Sequence, residues 1–218
     1  MKKISIAIDG PAGAGKSTIA KIISKKLKIT YIDTGAMYRA LTLKLLDNKI
    51  NLDDINSIKK ILTNTTIDFK NNNIYLDGKI VNEQIRTNKV NNNVSKVAKI
   101  KEVREELVKK QRQIACNKSV VMDGRDIGTY VLPYATFKFF ITASVEERGK
   151  RRYKDLIKKE KDITLEKVIE EIKIRDKIDS TRELSPLKMS KDAILIDTTY
   201  KTIEETVNEI LTYIKEGR

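Results

Sequence analysis

One eight-residue segment narrows the possibilities for this chain more than any other. Gly10-Pro11-Ala12-Gly13-Ala14-Gly15-Lys16-Ser17 fits the pattern GxxxxGK followed by Ser or Thr. Lys3 to Ile8 before it is short, apolar and β-branched, and Ser17 to Leu27 after it has helical spacing. Strand, glycine loop and helix in that order make a P-loop, which places the chain among α/β proteins that bind phosphate. The loop's N–H groups turn inward around phosphate oxygens at a helix N-terminus. Lys16 reaches the β and γ phosphates as a mobile point charge, and the Ser17 hydroxyl is a ligand for Mg²⁺.

The chain has 218 residues, enough for one sizeable core, so one domain with an insertion is expected rather than two independent domains. It has no apolar run of membrane-spanning length, about 18 residues, and Met1-Lys2-Lys3 leads straight into the first strand. A cytoplasmic protein with no membrane partner is the expectation. Cys116 is the only cysteine and excludes an internal disulfide; the absence of histidine excludes a histidine acid or base and argues against zinc. The chemistry then falls to Lys, Arg, Asp and a bound metal. The formal charge of +14 would suit a polyanionic partner. However, lysines are spread along the chain among abundant Ile and Asn, with no aromatic-interleaved basic stripe, so a solvated surface is expected and no nucleic acid.

Thr30 to Asp33 reads as a second strand, and Ala36 to Leu46 as an amphipathic helix with Arg39 in its first turns. Arginine there opposes the helix dipole and wants an anionic ligand or a surface salt bridge. After a helix from about Asp53 to Asn64, the texture changes to short alternating strands at Thr66–Lys70, Asn73–Leu76 and Lys79–Val81, the last two joined by the hairpin signal Asp77-Gly78. Lys101 to Asn117 is a charged helix. Ser119 to Asp123 is a buried-type strand ending in an acid, a Walker B pattern in which Asp123 meets Mg²⁺ directly or through water, or else caps a turn. Arg125 and Asp126 follow at the strand's C-terminal end, where open α/β sheets bind ligands.

Thr136 to Thr142 is the next strand, and Ser144 with Glu147 makes a capping box. Arg148, Arg151 and Arg152 then share one helix face. Three adjacent guanidiniums need either an anion, as in a lid gripping a triphosphate, or pairing with Glu146, Asp155 or Glu160. From Thr164 to Lys177 a further helix is expected; Arg175, Asp179 and Arg182 share a side if it persists that far, as an ion-pair ladder or a ligand site. Ala193 to Asp197 is the last strand and Thr202 to Tyr213 the closing helix.

Several separated motifs in order carry a resemblance. They are Ile8 to Thr18, Asp33-Thr-Gly-Ala-Met-Tyr-Arg39, Glu83-Gln-Ile-Arg-Thr87, Val103-Arg-Glu105, Asp123-Gly-Arg-Asp-Ile-Gly-Thr129 and Arg175-Asp through Arg182. Over essentially its full length the chain resembles the bacterial cytidylate kinases, which are nucleoside monophosphate kinases. The resemblance implies a P-loop NTPase-type five-stranded parallel sheet with helices on both faces, a small antiparallel β/helical insertion and a short helical lid. The core would span 1–67 and 100–218, the acceptor-binding insertion about 68–99 and the lid about 148–163.

The same resemblance assigns Gly10 through Thr18 and Arg151 to ATP, and Arg39, Arg125 and Arg182 to the acceptor phosphate of CMP. Thr34, Ser95, Arg104 and Asp126 fall around the cytosine edge, and Tyr38, Arg175 and Asp179 near the sugar. Lys16, Arg125, Arg148, Arg152 and Arg182 would serve catalysis. Cytosine offers an amine donor beside two acceptors, so Asp126 next to Arg104 and Ser95 makes a fitting reader. The implied reaction is γ-phosphoryl transfer from Mg-ATP to CMP or dCMP by a monomer. Two rivals of other kinds are a nucleotide-dependent switch or RNA-binding protein, though no NKxD occurs, and a P-loop kinase for a different small acceptor.

Overall fold

A computed structural model describes residues 3–70, 73–157 and 163–217. The chain begins with β1 (Ser5–Asp9), α1 (Lys16–Leu27), β2 (Thr30–Asp33), α2 (Thr34–Asp47) and α3 (Ile55–Thr63). Three short strands follow, β3 (Ile67–Lys70), β4 (Asn73–Leu76) and β5 (Lys79–Ile80), then a 3₁₀ turn at Gln84–Arg86, α4 (Asn88–Val97) and α5 (Lys101–Cys116). The remainder is β6 (Val120–Gly124), a π-helical turn at Ile127–Val131, β7 (Phe137–Thr142), α6 (Val145–Leu156), α7 (Leu165–Thr181), β8 (Ile194–Asp197) and α8 (Ile203–Glu216). Two compact units emerge, one of residues 1–31 and 117–218 and the other of residues 32–116. Among the described residues no helix is long and apolar enough to cross a membrane.

The main sheet has five strands in the order β2-β6-β1-β7-β8 and is parallel, as the resemblance implies. Its register sets Asp9 beside Gly124 and Thr142 beside Asp197, so the strands' C-terminal ends line up along one edge. Ile6, Ile8, Val121, Phe139, Ile141 and Ile196 from the sheet pack with Ile19, Ala20 and Ile23 of α1 and Val207 and Ile210 of α8. Each fully buried Ile in this layer contributes about 1.5–3 kcal/mol. Because β1 and β6 are buried along their length, they read as continuous apolar runs rather than alternating ones.

In the unit of residues 32–116, β3-β4-β5 form an antiparallel sheet. The β4–β5 hairpin closes through Asp77 (φ 50°) and Gly78 (φ 78°), two successive left-handed residues of the kind the Asp-Gly signal predicts. Asp77 also accepts the N–H of Thr66 and an ion pair from Lys44 of α2. The residues alone do not predict the helix α4, although the β/helical insertion implied by the resemblance has room for one. Asn88 to Val97 is rich in Asn and poor in helix formers, and it is held by burial of Val90, Val94 and Val97 on one face. Asp33, by contrast, caps α2 by accepting the Ala36 N–H at 2.8 Å, as expected of a helix opening at the Asp33-Thr34 step.

Candidate active site

The P-loop leaves β1 at Asp9 and enters α1 through Gly15 in the left-handed conformation (φ 86°). At Gly10 (φ 145°) an added Cβ would stand 1.9 Å from the Ile141 carbonyl oxygen, so no other residue fits there. Lys16 is buried and its Nζ donates to the Pro11 carbonyl at 2.6 Å, which folds the side chain back over the loop. Burial, then repulsion from Arg125 and Arg175, draws the Lys16 pKa well below 10.5, against the pull of Asp123 and Asp9. An ammonium so placed gains most from an incoming phosphate.

Ser17 and Asp123 meet beside the P-loop. The Ser17 hydroxyl donates to Asp123 Oδ2 at 2.6 Å, and the Tyr31 hydroxyl donates to Oδ1 at 2.8 Å. Two hard oxygen groups side by side suit Mg²⁺, which keeps several waters and completes its shell with phosphate oxygens. No group of three or more acidic, His or Cys ligands occurs among the described residues, so protein atoms alone do not make a cage. Tyr31 was not singled out in the sequence; its alternation with Ile32 on β2 is the only signal that could have flagged it.

Asp9 is buried and accepts the N–H groups of Ile127 and Gly128, both at 2.7 Å. Burial pushes its carboxyl up to about 7, outweighing those two donors.

Beyond β6 the structure gathers a cluster of arginines and aspartates. Arg125 Nε donates to Asp179 Oδ2 at 2.7 Å, while Arg182 lies 3.4 Å from Asp126 Oδ1 and 3.9 Å from Asp179 Oδ1. Arg182 Nε also donates to the Ser185 carbonyl at 2.7 Å. Burial by itself raises the Asp179 carboxyl, but Arg125, Arg175 and Arg182 together hold it below 3.8. The helix persists as the ladder required: α7 runs to Thr181, so Arg175 and Asp179 are helical and Arg182 is its C-terminal cap.

Among the described residues, Arg148 and Arg151 of α6 have partners other than Glu146 and Asp155. Arg148 is 7% exposed and donates to the carbonyls of Ala143 and Ala12 and to Asp176 of α7. Asp176 in turn accepts the Ala12 N–H at 3.2 Å, so this P-loop residue is held through both its N–H and its carbonyl. Arg151 pairs with Glu147 and donates to the carbonyl and hydroxyl of Thr198 after β8. Arg152 is half-buried on the same helix. Glu160 and part of the 148–163 segment lie outside the described residues. Asp176 was missed although it adjoins Arg175 in a motif, because helical spacing grouped Arg175 with Asp179 and Arg182 instead.

In the unit of residues 32–116, Thr34 and Tyr38 are buried on α2. Arg104 of α5 is 1% exposed, lies 5.6 Å over the Tyr38 ring and donates to the Ala98 carbonyl at 3.2 Å. Arg39 Nε donates to Asn91 Oδ1 of α4 at 3.5 Å, and Ser95 stands one turn further along α4 from Asn91. Arg104 thus presents a buried guanidinium over an aromatic face.

A glycine loop feeding a helix, the lysine and serine that open that helix, and an acid ending the neighbouring strand of a parallel sheet define a P-loop phosphotransferase. The solved shikimate kinase from Acinetobacter baumannii shares this fold, with a TM-score of 0.52 and 13% identity, over 100% of this chain and 96% of that one. The family model for cytidylate kinase matches residues 6–216. The cytidylate kinase of Clostridioides difficile (strain 630) is 58% identical over 214 residues, covering 98% of this chain and 99% of that protein. That of Alkaliphilus oremlandii (strain OhILAs) is 56% identical over 215 residues, covering 99% of each. The chain belongs to the cytidylate kinase family.

Proposed function

We propose that the protein transfers the γ-phosphoryl group of ATP to CMP and dCMP, giving ADP with CDP or dCDP. The observation that supports this most directly is the buried Lys16 on a P-loop whose Ser17 meets Asp123, in a chain matched by the cytidylate kinase family over residues 6–216. The P-loop residues Gly10 to Thr18 take the ATP phosphates, and Ser17 and Asp123 would hold Mg²⁺, directly or through water. Bound there, Mg²⁺ neutralises charge on the β and γ phosphates.

The acceptor needs no general base, since a CMP phosphate is already largely ionised near neutral pH and presents its own nucleophilic oxygen. Catalysis is then positioning and charge neutralisation. Arg39, Arg125 and Arg182 are assigned to the acceptor phosphate, where guanidinium forks match phosphate oxygens. Arg125 and Arg182 share Asp179, which holds the two guanidiniums close together. Thr34, Ser95, Arg104 and Asp126 are assigned to cytosine, and Tyr38, Arg175 and Asp179 to the sugar. Uracil would reverse a donor and an acceptor and leave buried groups unpaired. Arg148, Arg151 and Arg152 are assigned to the ATP side, Arg148 by holding the Ala12 peptide. The working species is proposed to be a cytoplasmic monomer, which sedimentation velocity and cell fractionation test.

The deciding experiment is a coupled ADP-release assay with Mg-ATP and CMP, dCMP, UMP, AMP, GMP or no acceptor. Strong release with CMP and dCMP and weak release with the others is expected. ADP appearing at one slow rate regardless of acceptor would remove the kinase reading, and a preference for another acceptor would reassign the base site.

A further inference from the structure

One buried carboxylate near the site has no part in the assignments above. Asp9 is the last residue of β1, 4% exposed, and it immediately precedes the P-loop. Its two oxygens are used separately: Oδ1 accepts the Ile127 N–H and Oδ2 the Gly128 N–H, each at 2.7 Å. These are consecutive amides at the start of the π-helical turn Ile127–Val131. They are the orphan donors that a capping side chain normally satisfies.

The residue in the capping position of that turn is Asp126, and Asp is among the best capping residues. Yet the Asp126 side chain makes no capping hydrogen bond. Its backbone carbonyl accepts from Tyr130 and Val131, and its carboxylate lies 3.4 Å from Arg182. Asp9 therefore caps the turn from a neighbouring strand, in place of the residue whose position calls for it. The strand register that sets Asp9 beside Gly124 makes the reach possible.

We propose that Asp9 is a positioning residue for acceptor recognition, capping the Ile127–Val131 turn so that the Asp126 carboxylate is held out for the cytosine ring and Arg182. The proposal rests on the CMP reading above. Asp9 touches no substrate in this role; it acts through Asp126 and, one residue earlier, Arg125. Since it also ends the strand that feeds the P-loop, one side chain ties the acceptor-reading turn to the base of the donor loop.

The test is Asp9→Asn, whose amide retains one acceptor oxygen and turns an NH₂ donor toward an N–H donor. Deprived of its cap, the turn recruits Asp126, the residue already at its capping position. KM for CMP should rise about tenfold or more, as expected for losing a hydrogen bond to a charged group. The preference for CMP over UMP should fall by a similar factor, because Asp126 no longer reads the base. KM for ATP should stay within about twofold, a split that general loosening of the fold would not give. An unchanged CMP to UMP preference, or equal losses toward ATP and CMP, would overturn the proposal.

If Asp9→Asn does not fold, hydrogen exchange of the wild-type protein still tests the cap. Amide hydrogen exchange separates this idea from the activity it rests on. Should the wild-type protein prove inactive on CMP, the functional reading fails, and slow exchange at Ile127 and Gly128 that Asp9→Asn abolishes would still support the cap. Fast exchange at both amides in the wild type would refute it.

Discussion

At the scale of single residues, the site is governed by buried charges whose partners decide their protonation. Lys16, drawn below its ordinary pKa by burial and by Arg125, sits in a location that an anionic phosphate relieves. Lys16→Ala should lower kcat on the order of 10²–10³-fold, the usual scale for removing one preorganised stabiliser of developing charge. KM for CMP should change little; comparable losses in both constants would show that Lys16 holds the acceptor rather than the transferring group. Asp179 gives a pH signature of definite sign. Its folded pKa lies below its unfolded 3.8, so its stabilising contribution is complete above that value and is lost as pH falls through the folded one. Asp179→Asn should therefore cost about 3 kcal/mol near neutrality, since it leaves Arg125 and Arg182 short of a buried partner. In thermal melts the gap between wild type and variant should narrow as pH is taken below about 4. A constant gap down to about pH 2.5 would mean that Asp179 is not ionically coupled to those arginines. Lys16, Ser17 and Asp123 were singled out by their local spacing to a glycine loop or strand end, and Arg182 by its helical spacing to Arg175 and Asp179. Asp176 and Asp9 were not, because the groups they hold, Ala12 and Arg148 for one and Ile127 and Gly128 for the other, lie far off in sequence.

At the scale of elements, the helices α6 and α7 act as a pair, since α6 carries Arg148 and Arg151 and α7 carries Arg175, Asp176 and Asp179. Their second, small core of Leu156, Val168 and Ile172 keeps them together. Gly149 sits at the contact: an added Cβ would lie 2.4 Å from Ile169 Cγ1. In an isolated helix Gly149→Ala would gain up to about 1 kcal/mol from propensity. Here the methyl meets a branch close to the Ile169 backbone, and overpacking of this kind costs roughly 1–3 kcal/mol. A net loss is expected, with Tm lower by roughly 2–4 °C per kcal/mol for a chain of this size. KM for ATP should rise with it, because Arg148 and Asp176 hold opposite sides of Ala12. Adding Ile169→Ala should recover part of both effects; no recovery would place the strain elsewhere. The same scale shows where local rules ran out. The strands β1, β6 and β7 and the Asp77-Gly78 hairpin follow from apolar runs and turn chemistry. The helix α4 does not, because three buried valines override a sequence that locally favours turns, and the Ile127–Val131 turn is capped by a residue of β1 far off in sequence.

At the scale of the whole molecule, 44 basic and 30 acidic side chains leave a formal charge of +14 spread along the chain. Spread charge of this kind cannot grip a polyanion along one track, but it surrounds the protein with a positive potential. ATP and CMP are both anions, so that potential should speed their arrival without altering the chemistry after they bind. Raising ionic strength from about 0.01 M to about 0.1 M shortens the screening length from about 30 Å to about 10 Å. Accordingly kcat/KM for CMP should fall several-fold over that range while kcat at saturation stays constant. If kcat fell in parallel, salt would be acting inside the site, on pairs such as Arg125–Asp179 rather than on approach. RNA supplies the control, because a protein evolved to bind it shows affinity that drops steeply with salt from a tight low-salt value. Weak RNA binding at every salt, together with salt-sensitive kcat/KM, would assign the excess charge to nucleotide steering.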